Sequence, residues 1–291
     1  MAGCADEVLP IGRLRRAEVF GTRTLYRSVK ALREAGRGNY DLAIELRGGT
    51  EAAVLINFAQ PHRRLNAAGN GLRSVISKLT GALTKNQSGT KHQAQRYLEI
   101  LAPLGVRPLE TAPKLITDRD ADERIDKLLH KNGLLPGELL VGIHPGADKA
   151  GNRWPVERFA SVAARMIHNF NARVIVFAGP RERGMAKQIV KSLPKGRAMA
   201  FDTLQPADFV SALARLSVFI ACHSGPAHVA AAVGTPVVAA CASERVSPYD
   251  LLGRNHKHLR SLRLTDIHED EMYAAACSLL QTSRADILRA I

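Results

Sequence analysis

The chain has 291 residues, of which 46% are hydrophobic, and this is enough apolar material for the cores of two α/β domains. It contains no apolar run near the roughly 20 residues that span a bilayer, and its acidic, proline-containing start is unlike a signal peptide, so we expect a cytoplasmic protein. Its four cysteines lie far apart, which argues against a zinc site or a disulfide framework. Cys222 and Cys241, at predicted strand ends, are expected to be small buried residues.

Charge is the second compositional feature. The formal net charge is +14, and no acidic residue occurs between Ala52 and Leu98, where seven Lys and Arg residues fall. Such a balance predicts a partner rich in negative charge. Nucleic acid is not expected, because no helix-turn-helix, zinc-finger or base-stacking pattern accompanies the charge and aromatic residues make up only 5% of the chain. A basic surface that is merely solvated is the alternative.

Periodicity predicts the first elements in chain order. They are a basic helix over 23–35, a strand over 40–46, and helices over 50–59, 91–104 and 121–131. The Gly-, Ser-, Asn- and Lys-rich segment 67–90 is interpreted either as an acceptor-binding loop or as an ordinary mobile loop. The Leu-Leu-Pro-Gly sequence at 134–137 is the predicted junction, which divides the chain into domains 1–136 and 137–291.

The carboxyl-terminal part repeats one pattern three times. Strands of buried type at 139–143, 173–178 and 218–221 each run into a Gly-containing loop that opens a helix. A helix over 207–215, a strand over 237–240 and helices around 269–281 and 283–290 complete this part. We therefore predict an α/β fold with a parallel sheet, whose ligand binds at the carboxyl edge where the three loops meet.

The segment 222–236, which follows the third of these strands, has the composition of an anion site. Ser224 is a suitable N-cap, Gly225 is flexible, and Pro226 suits a first helical turn. His228 follows within that turn. The free amides and the dipole of such a helix end bind phosphate without help from side chains. The alternative is an ordinary strand-to-helix connection in which His228 caps or packs.

Four short motifs lie in the carboxyl-terminal part: PGA at 145–147, NRWP at 152–155, GPRE at 179–182 and HSGPAH at 223–228. With YDLAIELRG at 40–48 and QRYLEILAPLGV at 95–106, they make the chain similar to the heptosyltransferases of lipopolysaccharide core assembly, glycosyltransferase family 9. The resemblance spans nearly all of the chain. It implies a GT-B-like α/β fold of two Rossmann-like domains facing a cleft, with 1–136 on the acceptor side and 137–291 on the donor side.

The resemblance also implies an enzyme and its partners. The reaction would be inverting, metal-independent and cofactor-free transfer of heptose from ADP-heptose to the inner core of lipopolysaccharide. The partners would be a nucleotide sugar, the anionic acceptor and, peripherally, the inner leaflet of the membrane, which suits the basic charge. Two alternatives stay open: a family member that binds nucleotide without transfer, and a different nucleotide-sugar enzyme or nucleic-acid-associated protein that shares only the donor fold.

By the same resemblance, the donor site is assigned to ten residues. Ser224, Gly225 and His228 would hold the diphosphate, because helix-end amides and a cation suit a leaving group that gains negative charge. Glu182 would accept hydrogen bonds from the ribose, and Leu204 would pack near the adenine. The remaining predicted donor-site residues are Ala147, Asp148, Lys149, Arg153 and His223.

The chain departs from the family pattern at three places. The aspartate thought to be the catalytic base belongs to a first strand-helix-strand unit that precedes the start of this chain, so we expect an incomplete amino-terminal domain and assign no catalytic residue. Asn152 replaces a lysine, and the positive charge near the leaving phosphate would come from Arg153, from Lys149 or from no residue. His223 replaces an aspartate that would accept from sugar hydroxyls. Trp154 is expected to pack in the core rather than on the base.

Overall fold

The computed structural model of the protein describes residues 37, 40–46, 56, 60–66, 91–107, 112–135, 137–253 and 255–290. These residues fall into two compact units, which divide between Leu109 and Glu110. The predicted junction at 134–137 thus follows the start of the second unit, because the helix before it packs on that unit's helix Pro206–Ala214. The acceptor and donor roles given to 1–136 and 137–291 stay predictions.

The first unit contains a parallel strand pair and a helix. Its elements are β1 (Leu42–Glu45), β2 (Arg63–Asn66), α1 (Gln93–Leu101) and a 3₁₀ turn (Ala102–Leu104). β1 pairs with β2 from Leu42 opposite Arg63 onwards. Gly105, with φ 76°, follows the turn in the left-handed conformation that favours glycine.

The described part of this unit bears out two predictions. The predicted strand over 40–46 is confirmed as β1, and the predicted helix over 91–104 is confirmed as α1 with its 3₁₀ turn. The strand β2 is not expected from the sequence. The helix predicted over 23–35 and the loop 67–90 lie outside the described residues, as does the helix over 50–59 apart from Ile56, which is helical.

The second unit is built on a parallel sheet. Its strands are β3 (Leu140–His144), β4 (Arg173–Phe177), β5 (Ala198–Phe201), β6 (Val218–Cys222), β7 (Val237–Cys241) and β8 (His256–Arg260). They are hydrogen-bonded in the order β5-β4-β3-β6-β7-β8. This is the doubly wound order of the Rossmann fold, in which the strand order reverses between β3 and β6 and ligands bind above that point.

Helices cover both faces of this sheet. They are α2 (Arg119–Lys131), α3 (Val156–Phe170), α4 (Arg183–Lys191), α5 (Pro206–Ala214), α6 (Gly225–Ala232) and α7 (Glu269–Ala290). Trp154 and Met272 belong to the core on one face, and Ile125 and Phe219 to the core on the other. Because both faces are covered, the central strands are buried along their whole length. In the described part of the chain, no helix combines the length and apolar character that crossing a bilayer requires.

The predicted strands and helices of this unit are found, with three differences. β5 is not expected from the sequence, because Ala-Met-Ala-Phe is short and lacks β-branched residues. β8 is not expected either, because its His-Lys-His-Leu-Arg sequence has the polar character of an edge strand. The two helices predicted around 269–281 and 283–290 form the single helix α7.

Candidate functional site

A cavity of about 490 Å³ lies at the carboxyl edge of the second unit's sheet. Its lining residues come from the carboxyl ends of strands and the segments that follow them: 144–148 at the end of β3, 177–182 at the end of β4, 201–209 at the end of β5 and 224–226 after β6. These segments flank the point where the strand order reverses. The cavity therefore lies at the edge where the sequence predicts a ligand, and the segment after β5 adds a fourth wall.

The amino-terminal end of α6 forms one wall of the cavity. Ser224, Gly225 and Pro226 all line it, and Ser224 is the N-cap residue, with extended backbone at φ −151° and ψ 173°. The Ser224 hydroxyl donates to the Cys222 carbonyl at 3.1 Å instead of capping the first turn. The predicted N-cap position is confirmed, but the side-chain cap is wrong. The partial positive charge of the helix end thus faces the cavity.

Glu182 and His144 meet over Gly146 beside this wall. A Cβ on Gly146 would lie 2.5 Å from Glu182 Cγ and 2.9 Å from His144 Cε1. A Cβ on Gly179 would lie 2.7 Å from Glu182 Oε2, because the carboxylate folds back over its own turn. Both glycines therefore leave the space that the Glu182 side chain occupies at the cavity.

His144, the last residue of β3, lines the cavity but is missing from the predicted donor site. Its side chain is 9% exposed, and its Nδ1 has no hydrogen-bond partner among the described residues. Burial lowers the pKa of this imidazole, and the Glu182 carboxylate and nearby backbone groups partly oppose the shift. Its position directly after a buried strand was the one sequence signal that could have selected it.

The loop after β3 is anchored in the core by Trp154. The indole N–H donates to the Ile267 carbonyl at 3.0 Å, and the ring packs edge-on against Phe159 with a centroid separation of 4.8 Å. Trp154 is 1% exposed, so the expectation that it packs in the core is confirmed. The neighbouring Arg153 Nε–H donates to the Ala147 carbonyl at 3.0 Å, which ties the two ends of the loop together.

The side of the cavity next to β4 and β5 is apolar. Phe177 packs edge-on against Phe201 and Phe209, with centroid separations of 6.0 and 5.4 Å. Leu204 lies in the same wall, and Asp202 stands beside it in an ion pair with Arg183. An aromatic wall of this kind suits a flat heterocyclic ring.

His223 belongs to a polar cluster outside the cavity lining. Its Nε2 lies 3.0 Å from the Tyr249 carbonyl oxygen, and its ring centroid lies 5.9 Å from that of His258. His258 Nε2 accepts the Leu251 N–H at 3.2 Å. Burial is the main cause that lowers the pKa of His258 to about 4. These contacts hold the loop between β7 and β8 against the sheet.

The same cluster resembles a metal site in composition. His223, Asp250 and His258 offer ligand atoms within 4.8 Å of one another. However, Asp250 Oδ2 accepts from Arg260 at 2.6 Å, and each imidazole already contacts the loop backbone. A guanidinium bound to the carboxylate opposes a second cation. We therefore assign the cluster a structural role.

Six of the ten predicted donor-site residues line the cavity: Ala147, Asp148, Glu182, Leu204, Ser224 and Gly225. The other four lie outside the lining of this cavity, as far as the structure describes the chain: Lys149, Arg153, His223 and His228. The roles of all ten stay predictions.

Eleven residues of the cavity lining are missing from the predicted donor site, and four of them carry aromatic rings. His144, Phe177 and Phe201 are each the last residue of a strand, and Phe209 lies on α5. His144 directly follows the predicted strand 139–143, and Phe177 lies near the end of the predicted strand 173–178, so their positions could have selected them. β5 is not expected from the sequence, and Phe209 lies within a predicted helix, so no local signal marks Phe201 or Phe209 as part of a site.

The second unit is therefore a doubly wound α/β domain with a ligand cavity at its topological switch point. The family model of glycosyltransferase family 9 (heptosyltransferase) matches residues 26–274. Because this match covers most of the sequence, the chain belongs to glycosyltransferase family 9.

Curated and solved relatives agree with this assignment. The chain is 26% identical over 242 residues to lipooligosaccharide heptosyltransferase 2 of Haemophilus influenzae; the match covers 79% of this chain and 66% of that protein. It shares its fold with a glycosyl transferase family 9 structure from Veillonella parvula (TM-score 0.72, 21% identity, 88% of this chain and 80% of that one). It also shares it with E. coli ADP-heptose lipopolysaccharide heptosyltransferase II (TM-score 0.70, 19% identity, 89% and 82%). The chain thus spans just under two thirds of the curated relative.

Proposed function

We propose that the protein is a heptosyltransferase that moves heptose from ADP-heptose to the inner core of lipopolysaccharide, with inversion and without a metal. Membership of family 9 supports a glycosyl transfer, and the name of the E. coli relative supports ADP-heptose as the donor. The observation that carries the proposal is the composition of the cavity. A helix end, a carboxylate and an aromatic wall line one space at the edge of one sheet.

Each wall of the cavity suits a different part of a nucleotide sugar. The α6 end, with Ser224 and Gly225, suits the diphosphate, because its partial positive charge stabilises the charge that develops on the leaving group. The Glu182 carboxylate would repel phosphate, so it suits the neutral hydroxyls of the ribose. Phe177 and Leu204 suit the adenine ring.

The proposed reaction breaks one bond and forms one. The acceptor hydroxyl oxygen attacks the anomeric carbon from the face opposite the diphosphate and forms the new C–O bond. The electron pair of the broken C–O bond passes to the phosphate oxygen, and the hydroxyl proton passes to a base that we leave unassigned. The α6 end and Arg153, which is fixed to the Ala147 carbonyl, would counter the growing negative charge.

The positive charge of the chain supports the proposed acceptor. The chain carries a formal +14, and the stretch 52–98 has no acidic residue. The inner core of lipopolysaccharide and the inner leaflet of the membrane are both anionic, so we propose a cytoplasmic protein that meets the acceptor at the membrane surface.

Thermal unfolding with parallel ligands tests the donor. We expect ADP and ADP-heptose to raise the melting temperature in a concentration-dependent way, since a ligand at 100 times its Kd adds about 2.7 kcal/mol to the native state. UDP and GDP sugars should protect less. Glu182→Gln should reduce the protection, whereas Glu123→Gln, an exposed residue on α2, should leave it unchanged. Equal protection by all nucleotides, or by none, would contradict the proposed donor.

A second candidate is nucleotide binding without heptose transfer, or transfer of another sugar. It is favoured by the contact between His223 and the Tyr249 carbonyl, because an imidazole so placed does not offer the carboxylate that family members present to the sugar. Incubation with ADP-heptose and a heptose-deficient inner-core acceptor, followed by mass spectrometry of the acceptor, separates the two. Protection by ADP with no mass increase would favour the second candidate.

A further inference from the structure

His144 and the α6 end line the same cavity. The His144 backbone pairs with Ala221 on β6, and β3 and β6 are adjacent at the reversal of strand order. Three residues beyond Ala221, Ser224 begins the end of α6 that lines the same cavity. The strand register therefore places His144 at the same edge of the sheet as the α6 end, on the strand next to β6. The other neighbour of β3 is β4, and Glu182 comes from the segment that follows β4.

The side chain of His144 is also buried with one ring nitrogen unsatisfied. His144 is only 9% exposed, yet its Nδ1 has no hydrogen-bond partner among the described residues. Buried polar atoms in native proteins are nearly always paired, because an unpaired one loses its bonds to water without compensation. A buried, unpaired ring nitrogen in a ligand cavity indicates that its partner belongs to the ligand.

The groups around His144 indicate which part of the ligand it contacts. The ring packs against Gly146, and Glu182 covers the same glycine. An anion placed at the α6 end would lie near that carboxylate and be repelled by it. His144 comes from β3, the strand between those that lead to Glu182 and to the α6 end. Its imidazole beside the carboxylate offsets this repulsion, because it donates a hydrogen bond when neutral and adds a positive charge when protonated. A sugar hydroxyl needs no such screening, whereas a diphosphate does.

We propose that His144 is a ligand of the donor diphosphate, acting together with the α6 end at Ser224 and Gly225. This rests on the proposed function, since it requires a nucleoside diphosphate in the cavity. It assigns a diphosphate contact to a residue of β3 that lies outside the four motifs of the sequence.

The test compares ligands that differ only in their phosphates. Isothermal titration of ADP, AMP and adenosine into the whole protein is repeated with His144→Asn and His144→Gln. We expect the variants to bind ADP about 10- to 100-fold more weakly, as for the loss of a charge-assisted hydrogen bond, and adenosine within about twofold of the wild type. Glu182→Gln should show the reverse pattern, with a clear loss already for adenosine. His168→Asn, an exposed histidine on α3, is the matched control and should change neither affinity.

Each outcome has one meaning. Failure of the wild type to bind ADP would overturn the proposed function, and the role of His144 with it. If the wild type binds ADP, equal losses for ADP and adenosine in the variants would overturn the diphosphate role, because a merely structural histidine affects both. Unchanged ADP affinity would overturn it as well. Two substitutions of different length are used so that the result stands if one of them fails to fold.

Discussion

Gly146 and Glu182 approach so closely that no side chain fits between them. A Cβ on Gly146 would lie 2.5 Å from Glu182 Cγ, well inside van der Waals contact. The backbone of one segment thereby sets the position of the carboxylate that comes from the next strand's loop. The cavity, rather than the turn, therefore requires a glycine at this position.

The first prediction is that Gly146→Ala impairs nucleotide binding more than stability. The new methyl group must push Glu182 or His144 aside, and both line the cavity. We expect ADP affinity to fall at least about tenfold, which corresponds to roughly 1.4 kcal/mol. Titration of ADP measures this, with thermal unfolding followed by the single tryptophan, Trp154, as the stability readout.

Two other glycines serve as controls for this prediction. A methyl group added at Gly151 would meet no atom within 4 Å, so Gly151→Ala should leave both affinity and stability near wild type. At Gly142 a Cβ would overlap with the Leu216 side chain in the core, so Gly142→Ala should destabilise the fold. Wild-type ADP affinity in Gly146→Ala would show that Glu182 does not contact the nucleotide.

The second prediction concerns Asp122 on α2. Hydrogen bonds from Ser211, Thr117 and Arg215 to its carboxylate lower its pKa to about 2. Because the folded pKa lies below the unfolded value, this stabilisation is complete above about pH 4 and is lost as the pH falls through 2. We expect Asp122→Asn to cost about 1–2 kcal/mol at pH 7 and much less at pH 2. Urea unfolding at several pH values measures both.

Asp120, an exposed residue in the first turn of the same helix, is the control for Asp122. Asp120→Asn should cost only a few tenths of a kcal/mol through the helix dipole. If Asp122→Asn lowers the free energy of unfolding by the same amount at pH 7 and pH 2, the charge of Asp122 does not stabilise the contact between α2 and α5.

The third prediction is a pH dependence from His258. Burial lowers its pKa to about 4, below the unfolded value near 6.5, so the unfolded chain binds a proton that the folded chain does not. The free energy of unfolding should therefore decline as the pH falls from about 7 to 4. Below pH 4, His258 should cause no further decline. His258→Asn should flatten this part of the profile. A profile with the same slope in the variant would assign the dependence to other groups.

The fourth prediction concerns the thiols of β6 and β7. Burial raises the pKa of Cys222 to about 11 and that of Cys241 to about 12. In a variant with Cys4→Ser and Cys277→Ala, iodoacetamide at pH 8 should label the native protein at least about 100-fold more slowly than the urea-unfolded protein, because the thiolate is the reactive form. Intact-mass spectrometry follows the reaction. Rapid native labelling at either site would show that its strand opens locally.

The buried strands of the carboxyl-terminal part can be predicted in chain order from local sequence patterns. A parallel strand with both faces covered is apolar throughout, so β3, β4 and β6 stand out as short apolar runs between Gly-containing loops. β8 does not, since one of its sides has no neighbouring strand among the described residues and its His and Lys residues are tolerated there. β5 lacks the β-branched residues that mark a strand.

Residues that are close together in the chain were sufficient to predict the family, the α/β class and the helix that begins after Ser224. Which loops share a cavity could not be predicted in this way, since strand order and register depend on pairings between residues far apart in the chain. His144 lines the same cavity as Ser224, whereas His223, the residue before Ser224, contacts the Tyr249 carbonyl. His223 and Ser224 are adjacent in sequence but have different surroundings, because the strands and loops that pack around each side chain set its direction.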